Sequence, residues 1–249
     1  CISAFVGADI TAAITSSGLC RSDKTQLLAD VGTNGEMALW HGGKLRCCST
    51  AAGPAFEGAG LSMGMQGADG AIDHMTVEDG ELCAHVIGGK DAKGVCGSGV
   101  VDALACLLDL EALDETGLLD GDPTPLSGDV SLTQKDVRMI QLAKSAVCAG
   151  MYTLVERASL TTDDVSELLV AGGFGSYLGL GSAGKIGLIP LSIVPRTRVI
   201  GNASLDGASM LLLDKALRAE SEAMANAAET VDLSTDPVFM EQYTEGMFF

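Results

Sequence analysis

Apolar and polar residues recur along this 249-residue chain with two periods, near two and near 3.6, and each change of period marks an element. Ile10 to Ser17, rich in Ala and Ile, predicts a short helix after the loop Val6-Gly7-Ala8-Asp9. Gln26 to Ala29 predicts a buried strand that ends in the turn Asp30-Val31-Gly32-Thr33-Asn34-Gly35. Glu36 to Trp40 and Lys44 to Cys48 read as a hairpin around His41-Gly42-Gly43. Ala71 to Thr76 and Leu82 to Val86 read as a second, turning at Glu78-Asp79-Gly80. Between the hairpins, Ala51 to Gly70 is rich in Gly and Ala, which suits close approach of backbone or ligand.

Ser98 to Leu110 predicts a helix with Val101, Leu104, Leu107 and Leu108 on one face and Ser98 as its N-cap. Residues 114–130, acidic and interrupted by Pro and Gly, read as a surface loop. The strongest helix starts at Thr133, with Asp136 in capping-box position. Its apolar stripe is Met139, Leu142, Ala143, Ala146, Val147, Gly150, Met151 and Leu154. Leu168 to Ala171 and Arg198 to Gly201 are short strands, and a long helix is expected from Leu205 to about Ala228. The ending Met247-Phe248-Phe249 is expected to dock on the body or on a partner. A three-strand meander followed by helix, strand, helix, strand and helix is the order of an α/β, ribonuclease-H-like lobe, a mixed sheet flanked by helices. Residues 1–249 read as one domain, with 1–24 as a leading helix and connector and 230–249 as a tail.

Hydrophobic residues at 47% supply a sizeable core, and a formal net charge of -18 opposes binding to nucleic acid and to anionic membranes. The eight Cys form no CxxC pair or iron–sulfur spacing, and scattered thiols fit a reducing cytoplasm. Cys47 and Cys48, adjacent in a strand, are expected on opposite faces. No signal peptide or stretch of about twenty apolar residues is present. The absence of an initiator Met predicts a piece of a longer polypeptide.

Three strand-end turns carry candidate chemistry. At the first, Asp30 could bind Mg²⁺, Gly32 and Gly35 could turn backbone N–H groups toward phosphate, and Thr33 and Asn34 add donors. An Asn-Gly hairpin turn with a surface Asp is the plainer alternative. At the second, Gly172-Gly173-Phe174-Gly175 follows a buried strand and would let a base and ribose approach, or would simply turn the chain into a helix. The third, Gly201 to Ala208, suits close packing at a hinge. Glu57, in the Gly/Ala-rich segment, could orient a water or the metal's outer shell, or serve as a helix-start carboxylate. Lys144 could reach adenine or phosphate, or be a solvated helix lysine. Asp9 could act as the base of a small-molecule kinase, but no sugar-binding polar cluster accompanies it. His41, His74 and His85 show no metal spacing and read as structural.

The order of these turns resembles the actin-like ATPases. Asp9-Ile10-Thr11-Ala12-Ala13 is similar to their hinge helix, Asp30 to Gly35 to their second phosphate loop, Ala171 to Phe174 to their adenosine loop, and Gly201 to Ala208 to their second hinge segment. Phe5 to Asp9, Asp30 to Glu36, Ala51 to Gly58, Cys96-Gly97-Ser98-Gly99 and the ending Asp236-Pro237…Phe249 resemble the reductive activators of corrinoid proteins, nearly end to end. That resemblance implies ATP and Mg²⁺ bound by Asp30, Gly32, Thr33, Asn34, Gly35, Gly172, Gly173 and Phe174, with Asp9, Glu57 and Lys144 as further site residues. It implies a corrinoid protein partner, a homodimer, and ATP-coupled reduction of Co(II) to Co(I). The family's iron–sulfur cysteines and first ATPase lobe are not in this sequence, so the isolated chain is expected to be inactive. A small-molecule kinase and a nucleotide-free scaffold are the competing classes.

Overall fold

The meander forms where the alternation puts it. In a computed structural model that describes residues 1–174 and 177–249, β1 (Gln26–Val31), β2 (Gly35–His41) and β3 (Lys44–Thr50) pair antiparallel. On the other side of β1, β9 (Glu167–Ala171) and then β10 (Thr197–Gly201) add in parallel. The two-residue β11 (Glu229–Thr230) joins β3 at the far edge, giving the order β10-β9-β1-β2-β3-β11. This is the mixed sheet of a ribonuclease-H-like lobe.

Both faces of the sheet are covered, so consecutive residues in the middle of its strands are apolar although they point to opposite faces. Leu27, Ala29, Val31, Met37, Leu39, Cys48, Leu168 and Val170 face α3 (Gln134–Arg157). Leu28, Ala38, Leu45, Cys47, Leu169 and Ala171 face α1 (Ala8–Ser17) and α5 (Ala203–Leu213). Cys47 and Cys48 thus lie on opposite faces, and all eight Cys are free thiols. Where α1 and α5 cross there is no room for a side chain: a Cβ at Gly207 would fall on the Ala12 carbonyl.

Residues between β3 and α3 build a second layer. Its three-stranded sheet, β5-β4-β6, comprises β4 (Ala71–Glu78), β5 (Glu81–Val86) and β6 (Gly94–Val95), and α2 (Gly97–Asp109) packs on β4. Ser98 is inside α2 rather than capping it; Cys96 is the N-cap, and the Ser98 hydroxyl donates to the Asp73 carbonyl at 2.9 Å. The stretch 114–130 is only partly surface loop. It holds β7 (Thr124–Ser127), which pairs with β8 (Val130–Leu132), and buries Leu119, Leu126 and Val130. Strands this short give too few alternations to register as a period.

The capping box at Thr133 and Asp136 forms as expected, and α3 runs for 24 residues. Its apolar stripe is less clean: Leu142 is 48% exposed, whereas Gln141, Lys144 and Ser145 are buried. The cause is α7 (Pro237–Glu245), a tail helix capped by Asp236, which covers that polar side of α3. Asp236 also accepts from Arg157 at 2.7 Å. The expected long helix from Leu205 is two helices, α5 and α6 (Lys215–Ala227), because Asp214 adopts an extended conformation and caps the second. The six-residue α4 (Leu180–Lys185) lies against α2.

Candidate functional site

Strand register assembles a polar row at one end of the sheet. Asp30 pairs with Glu36 across β1 and β2, and Glu36 with Ser49 across β2 and β3. All three share the face of Leu28, Ala38 and Cys47, the face covered by α1 and α5. The first turns of both helices stand at this row. Asp9 opens α1, and Ser204, near the start of α5, donates its hydroxyl to Asp30 Oδ2 at 2.8 Å. The same hydroxyl lies 3.0 Å from the Asp9 carbonyl oxygen.

The row is electrostatically loaded. Burial raises the Asp30 carboxyl above its ordinary value and Asp9 adds to the rise, while the Ser204 hydrogen bond opposes it. Glu36 is pushed up to about 7 by burial, then by Asp9 and Asp30. No salt bridge to any of the three carboxylates is present among the described residues. An open cleft of about 390 Å³ lies beside the row, lined by Phe5, Asp9, Asn34, Glu36 and Ser49.

Gly172 is shaped for this place. Its φ is +99°, and a Cβ there would sit 2.8 Å from the Val31 carbonyl oxygen and 2.9 Å from Asp30 Oδ1. Gly173 is exposed, is not among the positive-φ glycines, and a Cβ there would meet nothing among the described residues. Phe174 stacks on Phe56, with ring centroids 4.9 Å apart and planes at 21°. A second cleft of about 390 Å³ opens beside this pair, lined also by Gly173, Glu57, Gln66 and Tyr177. Gly175, the last residue of the second glycine turn, lies outside the described residues.

The turn 30–35 is tighter than a free phosphate loop. The Gly32 N–H donates to the Asn34 carbonyl at 3.0 Å, so it is spent within the turn. Gly35 belongs to β2 and is buried; a Cβ there would meet the Thr50 hydroxyl at 2.7 Å, so packing accounts for its size. The hairpin turn of the plainer alternative does form, closing at Val31 and Gly35, but neither glycine has a positive φ and Asp30 is half-buried rather than a surface residue. Thr33 and Asn34 remain exposed at the tip. The Thr33 hydroxyl donates to Glu57 Oε1 at 3.0 Å, which brings Glu57 to the loop. Glu57 ends the 3₁₀ turn Pro54–Glu57; it does not start a helix.

Lys144 is a correction. It is fully buried, Nζ donates to the carbonyls of Gly246 (2.7 Å) and Phe248, and it sits 4.7 Å from the Phe249 ring centroid. It neither touches the cleft nor meets solvent: it holds the tail, which docks on the body as expected. The three His also have partners, His41 with Thr25, His74 with Asp102 and His85 with Asp73.

Ser204, Glu36, Ser49 and Phe56 escaped the sequence reading. Glu36 and Ser49 carried a usable signal, since any antiparallel register that closes the predicted turn sets them beside Asp30. Ser204 and Phe56 carried none, because their partners are 174 and 118 positions away.

The mixed α/β fold agrees with comparisons to known proteins. Residues 24–249 match the family model described as the C-terminal domain of RACo, the ASKHA domain. The chain belongs to this family. It is similar to "Corrinoid activation enzyme RamQ" of Eubacterium limosum, with 38% identity over 98% of this chain and 46% of that protein. It is also similar to "[Co(II) methylated amine-specific corrinoid protein] reductase" of Methanosarcina barkeri, with 30% identity over 84% of this chain and 43% of that protein. A solved structure titled "Reductive activator for corrinoid,iron-sulfur protein" superposes with a TM-score of 0.88 at 32% identity, over 98% of this chain and 42% of that one. The chain therefore spans less than half the length of the relatives it matches.

Proposed function

We propose that this chain is the nucleotide-binding lobe of an ATP-dependent reductive activator of a corrinoid protein. The observation that carries the reading is the carboxylate row beneath the first turns of two helices, next to a glycine that places no side chain against Asp30 Oδ1. Among the described residues no three His, Cys, Asp or Glu stand close enough to cage a metal. That donor set suits Mg²⁺, which keeps several waters and takes phosphate oxygens beside one or two carboxylates. Bound MgATP would supply the phosphoryl group, with the metal neutralising its charge.

The chain's own residues would bind and orient. Asp30 would hold the metal end, and Thr33 and Asn34 would offer donors from the loop tip. Glu57 would fix Thr33 or a water beside it. The base would enter the cleft at Gly173 and Phe174, where the Phe56–Phe174 stack offers an apolar wall. In a molecule of net charge -18, phosphate binding relies on these local dipoles and the metal. Closure on the nucleotide would move the α1–α5 pair and so rearrange a bound corrinoid protein, allowing one electron to convert Co(II) to Co(I). The electron would come from an iron–sulfur cluster in a region outside this chain.

Calorimetric titration of MgATP into the chain tests the site: binding that Asp30→Asn removes supports it, and equal binding by the variant excludes Asp30. The coupled reaction is tested with the chain joined to the region its relatives carry. With reductant present, loss of the Co(II) corrinoid absorbance should require ATP, and an equal rate without ATP would sink the coupling.

A further inference from the structure

Ser204 lies where three chain segments meet: the end of β1, the first turn of α1 and the first turn of α5. Its hydroxyl is within hydrogen-bond distance of both the Asp9 carbonyl oxygen (3.0 Å) and Asp30 Oδ2 (2.8 Å), yet it has one proton to donate. The two helices it joins are already fixed to each other. Gly207 admits no Cβ against Ala12, and the Ser16 hydroxyl donates to the Ala203 carbonyl at 2.7 Å. The crossing of α1 and α5 therefore does not need Ser204. What needs it is Asp30, which among the described residues has no other side-chain donor on either oxygen. Oδ1 instead faces the bare side of Gly172.

We propose that Ser204 is a positioning residue that fixes the Asp30 carboxylate by Oδ2, leaves Oδ1 for the nucleotide-bound cation, and makes that aim depend on the seating of the α1–α5 pair. Asp30 is the last residue but one of β1, and its side chain can rotate about χ1 and χ2. A hydrogen bond to one oxygen removes that freedom before the cation arrives. The donor sits on α5 and also touches the α1 backbone, so a shift of the helix pair relative to the sheet would withdraw the hydroxyl from Asp30. The inference rests on the nucleotide reading for the cation, but the Ser204–Asp30 bond is testable without any ligand.

The experiment compares the chain with Ser204→Ala, Ser204→Thr and Asp30→Asn. In ligand-free protein, the side-chain ¹³C carboxyl resonance of Asp30 should move in Ser204→Ala and stay near its wild-type position in Ser204→Thr, which keeps the hydroxyl. Melting temperatures of all three should stay close to wild type, because the helix crossing is sealed elsewhere. ATP affinity is then measured calorimetrically with and without Mg²⁺. The gain in affinity from Mg²⁺ should fall about tenfold in Ser204→Ala, as expected for one hydrogen bond to a charged group, and be restored in Ser204→Thr. An Asp30 resonance that does not respond to Ser204→Ala overturns the proposal whatever the nucleotide does. So does a full Mg²⁺ gain in Ser204→Ala when Asp30→Asn has lost it. A moved resonance in a chain whose Mg²⁺ gain ignores Asp30→Asn would overturn the site reading and the cation role together.

Discussion

Asp9, Asp30 and Glu36 place three carboxylates at one corner of the sheet, and burial, then Asp9 and Asp30, push Glu36 up to about 7 from 4.5. A carboxyl with a higher pKa in the folded than in the unfolded state binds its proton more tightly when folded. Its contribution to stability is present below 4.5 and is lost as the pH rises through about 7. Glu36→Gln removes this loss. The variant's melting temperature, relative to wild type without ligand, should rise between pH 4.5 and pH 8; a flat difference would mean that Glu36 does not titrate there. The two neighbouring glycines make a second contrast. Gly172→Ala places a Cβ at positive φ against Val31 and Asp30, so it should lose about 1 kcal/mol or more in denaturant unfolding. Gly173→Val adds a Cβ that meets nothing among the described residues and should change stability by less than about 0.5 kcal/mol while weakening ATP binding by calorimetry. Equal ATP affinity in Gly173→Val would move the base to another cleft.

Helix α3 shows what an element's own pattern can and cannot tell. Its start was legible because the capping box is local, with Thr133 and Asp136 three residues apart. Its faces were not, because α7, about a hundred residues later in the chain, covers Gln141, Lys144 and Ser145. Burial lowers Lys144 to about 8, and its charge is met by tail carbonyls and the Phe249 ring rather than by an acid. Lys144→Met fills similar space but leaves the Gly246 and Phe248 carbonyls without that donor. The expected loss is about 1–3 kcal/mol, with faster amide exchange in α7 and little change at β1. Unchanged exchange in α7 would mean that the tail is held by its other contacts, among them Gln141 to the Met247 carbonyl and the Arg157–Asp236 pair.

The carboxylate row and the cleft beside the Phe56–Phe174 stack both open outward, and the chain spans less than half the length of its relatives. An open site leaves the terminal phosphate in water, where charges and dipoles lose most of their leverage, and it cannot hold an attacking water in line. The 249-residue chain should therefore fold cooperatively and release no phosphate from ATP. Steady phosphate release that Asp30→Asn abolishes would show that the lobe is catalytic by itself.

What the sequence determined by itself is what local chemistry dictates. The meander and the capping box depend on residues within a few positions of one another. The order of these elements was enough to indicate the sheet. Tertiary structure decided everything that depends on distant segments sharing a place. It set Ser204 beside Asp30 and stacked Phe56 on Phe174. It also turned Lys144 from a nucleotide candidate into the buried anchor of the tail, because a side chain's surroundings are fixed by whatever packs on it, and in Lys144's case that is the last turn of the chain.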